Sequence, residues 1–346
     1  EPVQRVHKSV DFTIEVIECS EQAIDEAIKN FIIPFDLNNG PLLRASLLKI
    51  TEEKHILLFD MHHIIADGTS MAMMIKEFFA LYDNQLLPEL RIQYKDYAAW
   101  HKNYLESSQM KTQEEFWLKE FENEIPVLNL PTDYTRPAIQ SFEGAEMSFE
   151  LSKELTERLR NLAKDTGTTL YMLMLAAYNV ILSKYSGDEE IVIGSPVAGR
   201  SHADLENMLG VFINTLAYKN KVNADNTFEE FLAEVRSNCF KIYQHQDYPF
   251  EALVNKLNLQ MDMSRNPLFD TLFLFQNQVF EGGNEVKDLT FSAYNFDRKA
   301  SQFDLTLEIK DLPGRLGVRL EYCTRLFKSE TIRRFREHFI NLLTAI

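Results

Sequence analysis

The stretch His62-His63-Ile64-Ile65-Ala66-Asp67-Gly68 lies where a predicted strand gives way to a predicted helix. It holds two imidazoles, a carboxylate four residues after the second, and a glycine. A free imidazole has a pKa of about 6.5 and exchanges a proton near neutral pH. The first-turn N–H groups of a helix favour an oxygen that gains negative charge nearby. The sequence therefore predicts a catalytic site at this junction.

Length and charge restrict the class of protein. The 346 residues, 45% apolar and 12% aromatic, are enough for two ordinary hydrophobic cores, because single domains usually run to about 100–200 residues. The formal net charge is −16 and the sequence pI is near 5.0. Phosphate backbones are bound by clustered Lys and Arg, so this charge argues against a nucleic-acid partner. We expect two lobes and no nucleic acid.

The cysteine content and the apolar runs suggest a compartment. Cys19, Cys239 and Cys323 are odd in number and far apart, which fits neither a disulfide framework nor a metal site. No apolar run approaches the roughly 20 residues that span a bilayer, and residues 1–5 have neither a signal-peptide core nor an initiator Met. We expect a soluble cytoplasmic protein, without a membrane partner, whose natural start lies upstream.

Strand and helix patterns alternate along the chain. Period-two alternation predicts strands, and apolar residues at helical spacing predict amphipathic helices. The predicted strands are Asp11–Ile17, Leu43–Lys49, Lys54–Met61, Glu146–Leu151, Ile191–Ile193, Leu268–Phe275, Leu305–Ile309 and Arg315–Cys323. The predicted helices are Glu21–Phe31, Thr69–Tyr82 with Thr69 or Ser70 as its cap, one begun by Ser152, a deeply buried one over Thr168–Tyr185, and a closing one with Ile332, Phe335, Phe339 and Leu342 on one face.

A segment rich in Pro, Asp and aromatic residues, Leu128–Phe142, interrupts these patterns and cannot be a continuous helix. We place the lobe boundary there, with an N-terminal lobe over residues 1–140 and a C-terminal lobe over 141–346. Strands mixed with helices in both halves predict the α/β class, in the form of α+β sandwich lobes.

Five ordered segments resemble one family. Met61–Ser70 (MHHIIADGTS), Tyr94–Trp100 (YKDYAAW), Gly210–Thr215 (GVFINT), His245–Glu251 (HQDYPFE) and Ser264–Asp270 (SRNPLFD) resemble the motifs of the condensation domains of nonribosomal peptide synthetases, in family order. The two opening motifs of that family are absent here. The resemblance therefore starts partway into the first lobe and then covers the rest of the chain.

The resemblance implies two chloramphenicol-acetyltransferase-like lobes in a V-shaped arrangement, with the active site in a tunnel between them. It implies that upstream donor and downstream acceptor carrier domains bring substrates tethered to phosphopantetheine, beside an adjacent adenylation domain. The acceptor amine would attack the donor thioester to form an amide, and the wording of the motifs is most like the class that joins an L-donor to an L-acceptor. The domain itself would need no metal and no cofactor.

The residues of the first motif have different predicted roles. We expect His63 to orient the amine and take its proton, and His62 to be structural because neighbours at a strand end point opposite ways. Asp67 is predicted to cap the following helix or to hold the loop through an arginine partner. If that arginine belongs to the absent opening segment, Asp67 would be unpaired. Gly68 is predicted to supply a backbone shape that a side chain would forbid, or to let the thioester approach the helix.

The other motifs favour scaffold roles. Tyr94, Asp96, Tyr97 and Trp100 have the spacing of an aromatic helix face packed in a core, and HQDYPFE suggests a structural turn before a helix over Phe250–Leu257. Asn214 must be hydrogen-bonded if it is buried, and serving the tunnel or bridging the lobes are equally open. Ser264 and Asn266 are weaker tunnel candidates.

Two alternatives to amide formation remain open. The first is an acyltransferase that uses coenzyme A, or forms esters, on the same scaffold. The second is a non-catalytic platform that only docks carrier domains. Epimerisation domains share the segment from HH to DG, but HQDYPFE favours condensation. The amino acids that are joined have no short code in the sequence.

Overall fold

The computed structural model of the protein describes residues 3–259, 262–277, 284–286, 289–294 and 299–346. These residues form two compact units that are discontinuous in sequence. The first comprises the described residues of 1–97, 200–212 and 281–296, and the second those of 98–199, 213–280 and 297–346. The units therefore do not follow the boundary predicted at residue 140, because residues 98–140 pack with the second unit and residues 200–212 with the first.

The first unit is built on a three-stranded sheet in the order β1-β2-β3. The strand β1 pairs parallel to β2, and β2 pairs antiparallel to β3, with Leu43 opposite Met61. A small core between the sheet and α1 contains Ile24, Ile28, Leu48 and Ile56. The elements are β1 Glu15–Glu18, α1 Ile24–Phe31, β2 Leu43–Lys49, β3 His55–Met61, α2 Gly68–Tyr82, the start of α3 Tyr94–Leu105, α7 Ala203–Glu206, β8 Asn284–Val286 and β9 Leu289–Phe291.

The second unit is built on a six-stranded mixed sheet in the order β4-β11-β10-β7-β5-β6. Its parallel pairs are β10 with β7 and β5 with β7, and its other pairs are antiparallel. Its elements are α4 Ser108–Glu120, β4 Gly144–Glu150, α5 Lys153–Asp165, α6 Leu170–Ser186, β5 Glu190–Val197, β6 Asn214–Lys221, α8 Phe228–Tyr243, α9 Phe250–Leu257, β7 Thr271–Gln276, β10 Leu305–Leu312, β11 Arg315–Cys323 and α10 Ser329–Ala345.

The helix α6 lies at the centre of the second unit. Ten of its 17 residues are buried, which confirms the predicted deep burial. Thr169 caps it by accepting a hydrogen bond from the N–H of Met172, and Gly187 ends it with a φ of 80° in the left-handed region. Ser152 caps α5 in the same way, as predicted, with the N–H of Leu155 at 3.2 Å.

The helices α4 and α8 were not predicted, and three of the predicted elements differ from the structure for a physical reason. The first strand begins at Glu15 rather than Asp11, and Phe12 and Ile14 are exposed, so the alternation before it has no core to face. The strand β7 begins at Thr271 because Leu268 has a φ of 69°. In α10 the buried residue of the last turn is Leu343 rather than Leu342, since the 3.6-residue period continues from Phe339.

Candidate active site

The loop between β3 and α2 carries His63. A turn follows the strand, in which the N–H of Ile65 donates to the carbonyl oxygen of His62 at 3.1 Å. The side chain of His63 is exposed and makes no hydrogen bond with any described residue. Both of its ring nitrogens are thus available to a molecule from outside. The structure places this histidine where the sequence predicted it, and its catalytic role stays a prediction.

His62 is part of the loop itself. Its half-buried ring lies edge-on to Phe35, with ring centroids 6.1 Å apart, and its Nδ1 atom accepts a hydrogen bond from the N–H of Ile64 at 3.1 Å. Its own N–H donates to the carbonyl oxygen of Leu42 at 3.0 Å. These contacts occupy one ring nitrogen and support the structural role predicted for this residue.

Asp67 is the N-cap of α2, which is one of the two roles predicted for it, and the alternative caps Thr69 and Ser70 lie inside the helix. Its buried carboxylate accepts hydrogen bonds from the N–H groups of Ser70 at 2.8 Å and Phe212 at 3.0 Å. Arg200 Nη2 lies 3.1 Å from its Oδ1. Burial works to raise the pKa of Asp67, but the two backbone hydrogen bonds and the Arg200 charge outweigh it and hold the pKa below its usual value. Asp67 is therefore paired within this chain.

Arg200 is a site residue that sequence reasoning missed. Its side chain is only 5% exposed. Nη1 donates to the carbonyl oxygens of Leu205 and Met208, each at 2.6 Å, and Nη2 donates to Ser70 Oγ at 2.9 Å. The guanidinium carbon lies 4.1 Å from the centroid of the Phe212 ring. In the sequence Arg200 is a single arginine in a polar loop after β5. Nothing in the sequence relates it to Asp67, which lies 133 residues earlier.

Aromatic rings from two motifs pack beside this network. Tyr94 and Tyr97 contact Phe212, with centroids 5.3 Å and 4.7 Å apart, and the Tyr94 hydroxyl donates to the carbonyl oxygen of Val211 at 2.8 Å. A Cβ added to Gly210 would lie 2.1 Å from the Tyr94 ring, so this position requires glycine.

The predicted core face of α3 therefore holds only in part. Trp100, three residues after Tyr97, is 53% exposed and does not belong to a buried helix face. Asp96 is also exposed, and its carboxylate accepts from the N–H of Gln93 at 2.8 Å, which stabilises the start of the helix rather than a core.

Gly68 does not have the strained backbone that the sequence suggested. Its φ is not in the left-handed region, and a Cβ built on it meets no atom within 4 Å. A side chain is therefore compatible with the backbone at this position. Two first-turn amides are already occupied, since Ser70 N–H donates to the Asp67 carboxylate and Met71 N–H to its carbonyl oxygen. The other two first-turn residues, Gly68 and Thr69, are exposed.

Asn214 lies in the second unit and holds the HQDYPFE loop. Its Nδ2 atom donates to the carbonyl oxygens of Gln246 and Tyr248, both at 2.8 Å. Its Oδ1 atom accepts from the N–H groups of Thr215 at 2.9 Å and Phe250 at 3.2 Å. Both ends of the amide are thus used by backbone groups of its own unit, which supports a scaffold role.

Ser264 and Asn266 lie elsewhere in the second unit and share no partner with Asn214. Ser264 Oγ donates to Asp262 Oδ1 at 2.7 Å, while Asn266 is half-buried and its Nδ2 donates to the carbonyl oxygen of Gln302 at 3.0 Å. The same motif provides Asp270, which is buried and paired with Arg265.

Asp270 is the most perturbed carboxyl group of this motif. Burial and the nearby charge of Asp304 raise its pKa to about 6, against the opposing effect of Arg265 and Arg136. Asp304 in turn pairs with Arg136. The two carboxylates therefore share a buried site with two arginines.

Among the described residues, no group of three or more His, Cys, Asp and Glu side chains is arranged to hold a metal ion. No single described helix has the length and apolar content to cross a membrane, although the bent pair α5 and α6 passes by length and composition.

Comparison with known proteins identifies the family. The family model for the Condensation domain matches residues 1–346. Gramicidin S synthase 2 of Brevibacillus brevis is 50% identical over 346 residues, which are 100% of this chain and 8% of that protein. Tyrocidine synthase 3 of Brevibacillus parabrevis is 48% identical over 346 residues, 100% of this chain and 5% of that protein. The chain thus spans less than a tenth of the length of these relatives.

Solved structures agree on the fold. A chain in the complex of the X-domain and OxyB from teicoplanin biosynthesis has a TM-score of 0.89 and 24% identity, over 98% of this chain and 78% of that one. The first condensation domain of the calcium-dependent antibiotic synthetase, with a substrate analogue, has a TM-score of 0.74 and 20% identity, over 96% and 74%. The mixed α/β class and the chloramphenicol-acetyltransferase-like fold are confirmed. With its whole length matched by the family model, this chain belongs to the condensation domain family of the nonribosomal peptide synthetases.

Proposed function

We propose that this chain catalyses peptide-bond formation in nonribosomal peptide synthesis. The α-amine of an acceptor aminoacyl group attacks the thioester carbonyl carbon of a donor acyl group. The new C–N bond forms, the C–S bond breaks, the amine loses one proton, and the donor thiolate leaves and is protonated. The reaction consumes no external oxidant, reductant or metal. The observation that carries the proposal is the exposed imidazole of His63 on a loop that is anchored by buried ionic and hydrogen-bonded contacts.

The role of His63 is limited by how little free energy the deprotonation of the amine requires. A free α-amine has a pKa of about 7.7–8.0, so roughly a tenth is neutral at pH 7, and reaching that form costs only ~1.4 kcal/mol. Holding amine and thioester in line is worth up to ~7–11 kcal/mol, whereas general base catalysis contributes about 10²–10⁴-fold. Positioning is therefore the larger effect. In the proposed mechanism His63 orients the amine and accepts its proton as the tetrahedral intermediate forms.

The anchoring of the loop supports this division of roles. Asp67 fixes the C-terminal end of the loop to α2 and, through Arg200 and the Phe212 N–H, to the 200–212 segment. His62 fixes the other end through its ring and its backbone. His63 lies between these two anchors and has no internal partner among the described residues. A ring held in this way keeps its donor and acceptor for the substrate.

The partners and substrates follow from the same proposal. The matching part is 8% of Gramicidin S synthase 2 and 5% of Tyrocidine synthase 3, which supports a setting among other domains. We expect an upstream donor carrier and a downstream acceptor carrier, both loaded through phosphopantetheine, with an adenylation domain adjacent. An L-donor joined to an L-acceptor is the proposed stereochemistry, and the cytoplasm is the proposed location. The domain would act without a metal or cofactor of its own.

A docking role without catalysis is the second candidate function. It is favoured by one observation, which is that a condensation-like fold with a TM-score of 0.89 occurs in a complex of the X-domain with OxyB. In a pure docking domain His63 would be dispensable. A third candidate, transfer from free coenzyme A on the same scaffold, differs because it needs no donor carrier.

The test is a single-turnover assay with two carriers. The chain is incubated with a donor aminoacyl carrier and an acceptor aminoacyl carrier, and the dipeptidyl carrier is measured by intact mass. His63→Ala should slow its formation by about 10²–10⁴-fold. The matched control is His55→Ala, an exposed histidine at the start of β3 that should leave the rate unchanged.

Three outcomes would reject the proposal or redirect it. If His63→Ala forms dipeptide as fast as His55→Ala, the imidazole is not catalytic. If the wild-type chain forms no dipeptide but still binds the carriers, the docking role replaces catalysis. Product from an acyl coenzyme A in the absence of a donor carrier would favour the third candidate. The assay is repeated with residues 1–346 extended at the N-terminus by a segment that carries the family's two opening motifs, which residues 1–346 do not contain.

A further inference from the structure

The side-chain hydroxyl of Ser70 makes three hydrogen bonds to residues outside its own helix. Ser70 lies in the first turn of α2 and is fully buried. Its Oγ atom donates to the carbonyl oxygen of Gly210 at 2.8 Å and accepts from the N–H of Gly210 at 3.1 Å. It also accepts from Arg200 Nη2 at 2.9 Å. One hydroxyl thus uses its donor and both lone pairs, which is its full capacity.

These contacts connect the start of α2 and the loop before it to the 200–212 segment. Arg200 Nη2 bridges Ser70 Oγ and Asp67 Oδ1, and the N–H of Ser70 donates to that same carboxylate oxygen. Two residues after Gly210, the N–H of Phe212 donates to the other carboxylate oxygen. The position of Gly210 therefore sets where the Phe212 N–H lies.

Loss of the Ser70 hydroxyl would act on two anchors of the loop together. The N–H and C=O of Gly210 would both lose their partner in a buried place, and buried backbone groups are nearly always paired. Gly210 cannot compensate by moving toward Tyr94, since an atom added at its Cβ position already lies 2.1 Å from that ring. The segment would have to shift away from α2. The Phe212 N–H and Arg200 would then move relative to Asp67.

We propose that Ser70 is a positioning residue for the condensation reaction, acting on His63 through Gly210, Arg200 and Asp67. The inference rests on the proposed function, because it assigns Ser70 to the geometry of that reaction. It does not place Ser70 against the substrate, since the residue is buried. Displacement of a reacting group by about 1 Å can cost on the order of 10²-fold in rate. We expect Ser70→Ala to lower kcat by about 10–100-fold and to change the KM for either carrier by less than about threefold.

The control is Ser152→Ala, which removes a helix-capping hydroxyl of the second unit that accepts from Leu155 N–H. Both variants replace a serine at a helix start by alanine. Dipeptide formation is measured at a temperature at which circular dichroism shows both variants folded. In ¹³C-histidine-labelled protein, the ring signals of His63 are assigned by their loss in His63→Ala. Ser70→Ala should shift these signals, and Ser152→Ala should leave them in place.

The outcomes separate this proposal from the function on which it rests. If Ser70→Ala has a kcat within about twofold of wild type, or leaves the His63 signals unmoved, the positioning role is wrong. An equal loss of kcat in Ser152→Ala would mean that only general stability was lost, and would also overturn it. If His63→Ala itself has no effect on the rate, the proposed function fails. If Ser70→Ala does not fold, Ser70→Thr, which keeps the hydroxyl, must retain kcat within about fivefold or the proposal is rejected.

Discussion

Arg200→Ala tests whether a buried ion pair holds the loop between β3 and α2. The side chains of Arg200 and Asp67 are 5% and 3% exposed, so the pair is shielded from water. Removing one partner of such a pair leaves the other buried and uncompensated, at a cost of about 3–5 kcal/mol. The carbonyl oxygens of Leu205 and Met208 lose their donor as well. We expect Arg200→Ala to lower the free energy of unfolding of the first unit by most of this amount.

The assay must report on the first unit. Both tryptophans, Trp100 and Trp117, lie in the second unit, so their fluorescence would follow the wrong part of the chain. Amide hydrogen exchange at Ser70 and Phe212 is suitable, because both N–H groups donate to Asp67. A loss of about 3–5 kcal/mol corresponds to exchange faster by roughly 10²-fold to 5 × 10³-fold.

The matched control is Arg91→Ala, which removes an ion pair with Asp204 in the same unit. Arg91 is 81% exposed, and an exposed pair is worth at most about 1 kcal/mol. Exchange at Ser70 should therefore rise by less than about fivefold. The reasoning is refuted if Arg200→Ala and Arg91→Ala raise exchange equally, since burial would then add nothing to the pair.

The sign of the pH dependence provides a second check. In the wild type the folded-state pKa of Asp67 lies below its unfolded value, so the stability it contributes is present above the unfolded pKa and is lost as pH falls through the folded one. Without Arg200 the burial of the carboxyl group remains, and one of the causes that lowers its pKa is gone. The acid-induced loss of protection at Ser70 should therefore begin at a higher pH in Arg200→Ala.

Three further predictions concern other positions. Asp270 has a pKa raised to about 6, so its contribution to stability is lost as pH rises through that value. In urea unfolding, the free energy of unfolding of Asp270→Asn should rise by about 2 kcal/mol relative to that of wild type between about pH 4.5 and pH 7, and a constant difference would contradict the raised pKa. Asn214→Ala should lower the free energy of unfolding by about 2–4 kcal/mol, measured by Trp117 fluorescence because Trp117 Nε1 donates to the His245 carbonyl oxygen at 2.8 Å. The control Asn123→Ala, at an exposed position of the same unit, should cost less than about 0.5 kcal/mol, and equal losses would argue against the loop-holding role. Gly68→Ala should leave the free energy of unfolding within about 0.5 kcal/mol of wild type, and a loss above about 1 kcal/mol would contradict the open space around its Cβ position. If substrate passes this position, the same variant should form dipeptide about tenfold more slowly.

The sequence predicted the regular elements because their signals are local. Apolar spacing gives the buried side of α6, the alternation over Leu43–Lys49 gives β2, and Ser152 marks the start of α5 through its side-chain oxygen. The prediction was wrong where an apolar pattern in the sequence has no hydrophobic core to pack against in the structure. The alternation before Glu15 is an example, because its apolar side chains remain exposed.

The motif loop was predictable in content but not in its contacts. The HHIIADG letters indicate a histidine on a loop before a helix, and the structure has this arrangement. Which side chain satisfies Asp67 depends on Arg200, 133 residues away, and long-range pairing has no short-range signal. Of the two predictions for Gly68, the backbone shape that a side chain would forbid is wrong, because φ is not in the left-handed region and a Cβ meets no atom within 4 Å. Access of the thioester at this position stays a prediction.

The ownership of residues 200–212 by the first unit has a consequence for synthesis on the ribosome. Residues up to 97 emerge early, but Arg200 and Phe212 emerge about 100 residues later, and until then the Asp67 carboxylate lacks two of its three partners. At translation rates of roughly 5–20 residues per second, the Asp67 carboxylate waits on the order of 5–20 s for these two partners. Engineers who exchange halves of such domains at residue 140 would join one parent's aspartate to another parent's arginine. A graft that moves 200–212 together with the first block keeps that pair from a single parent.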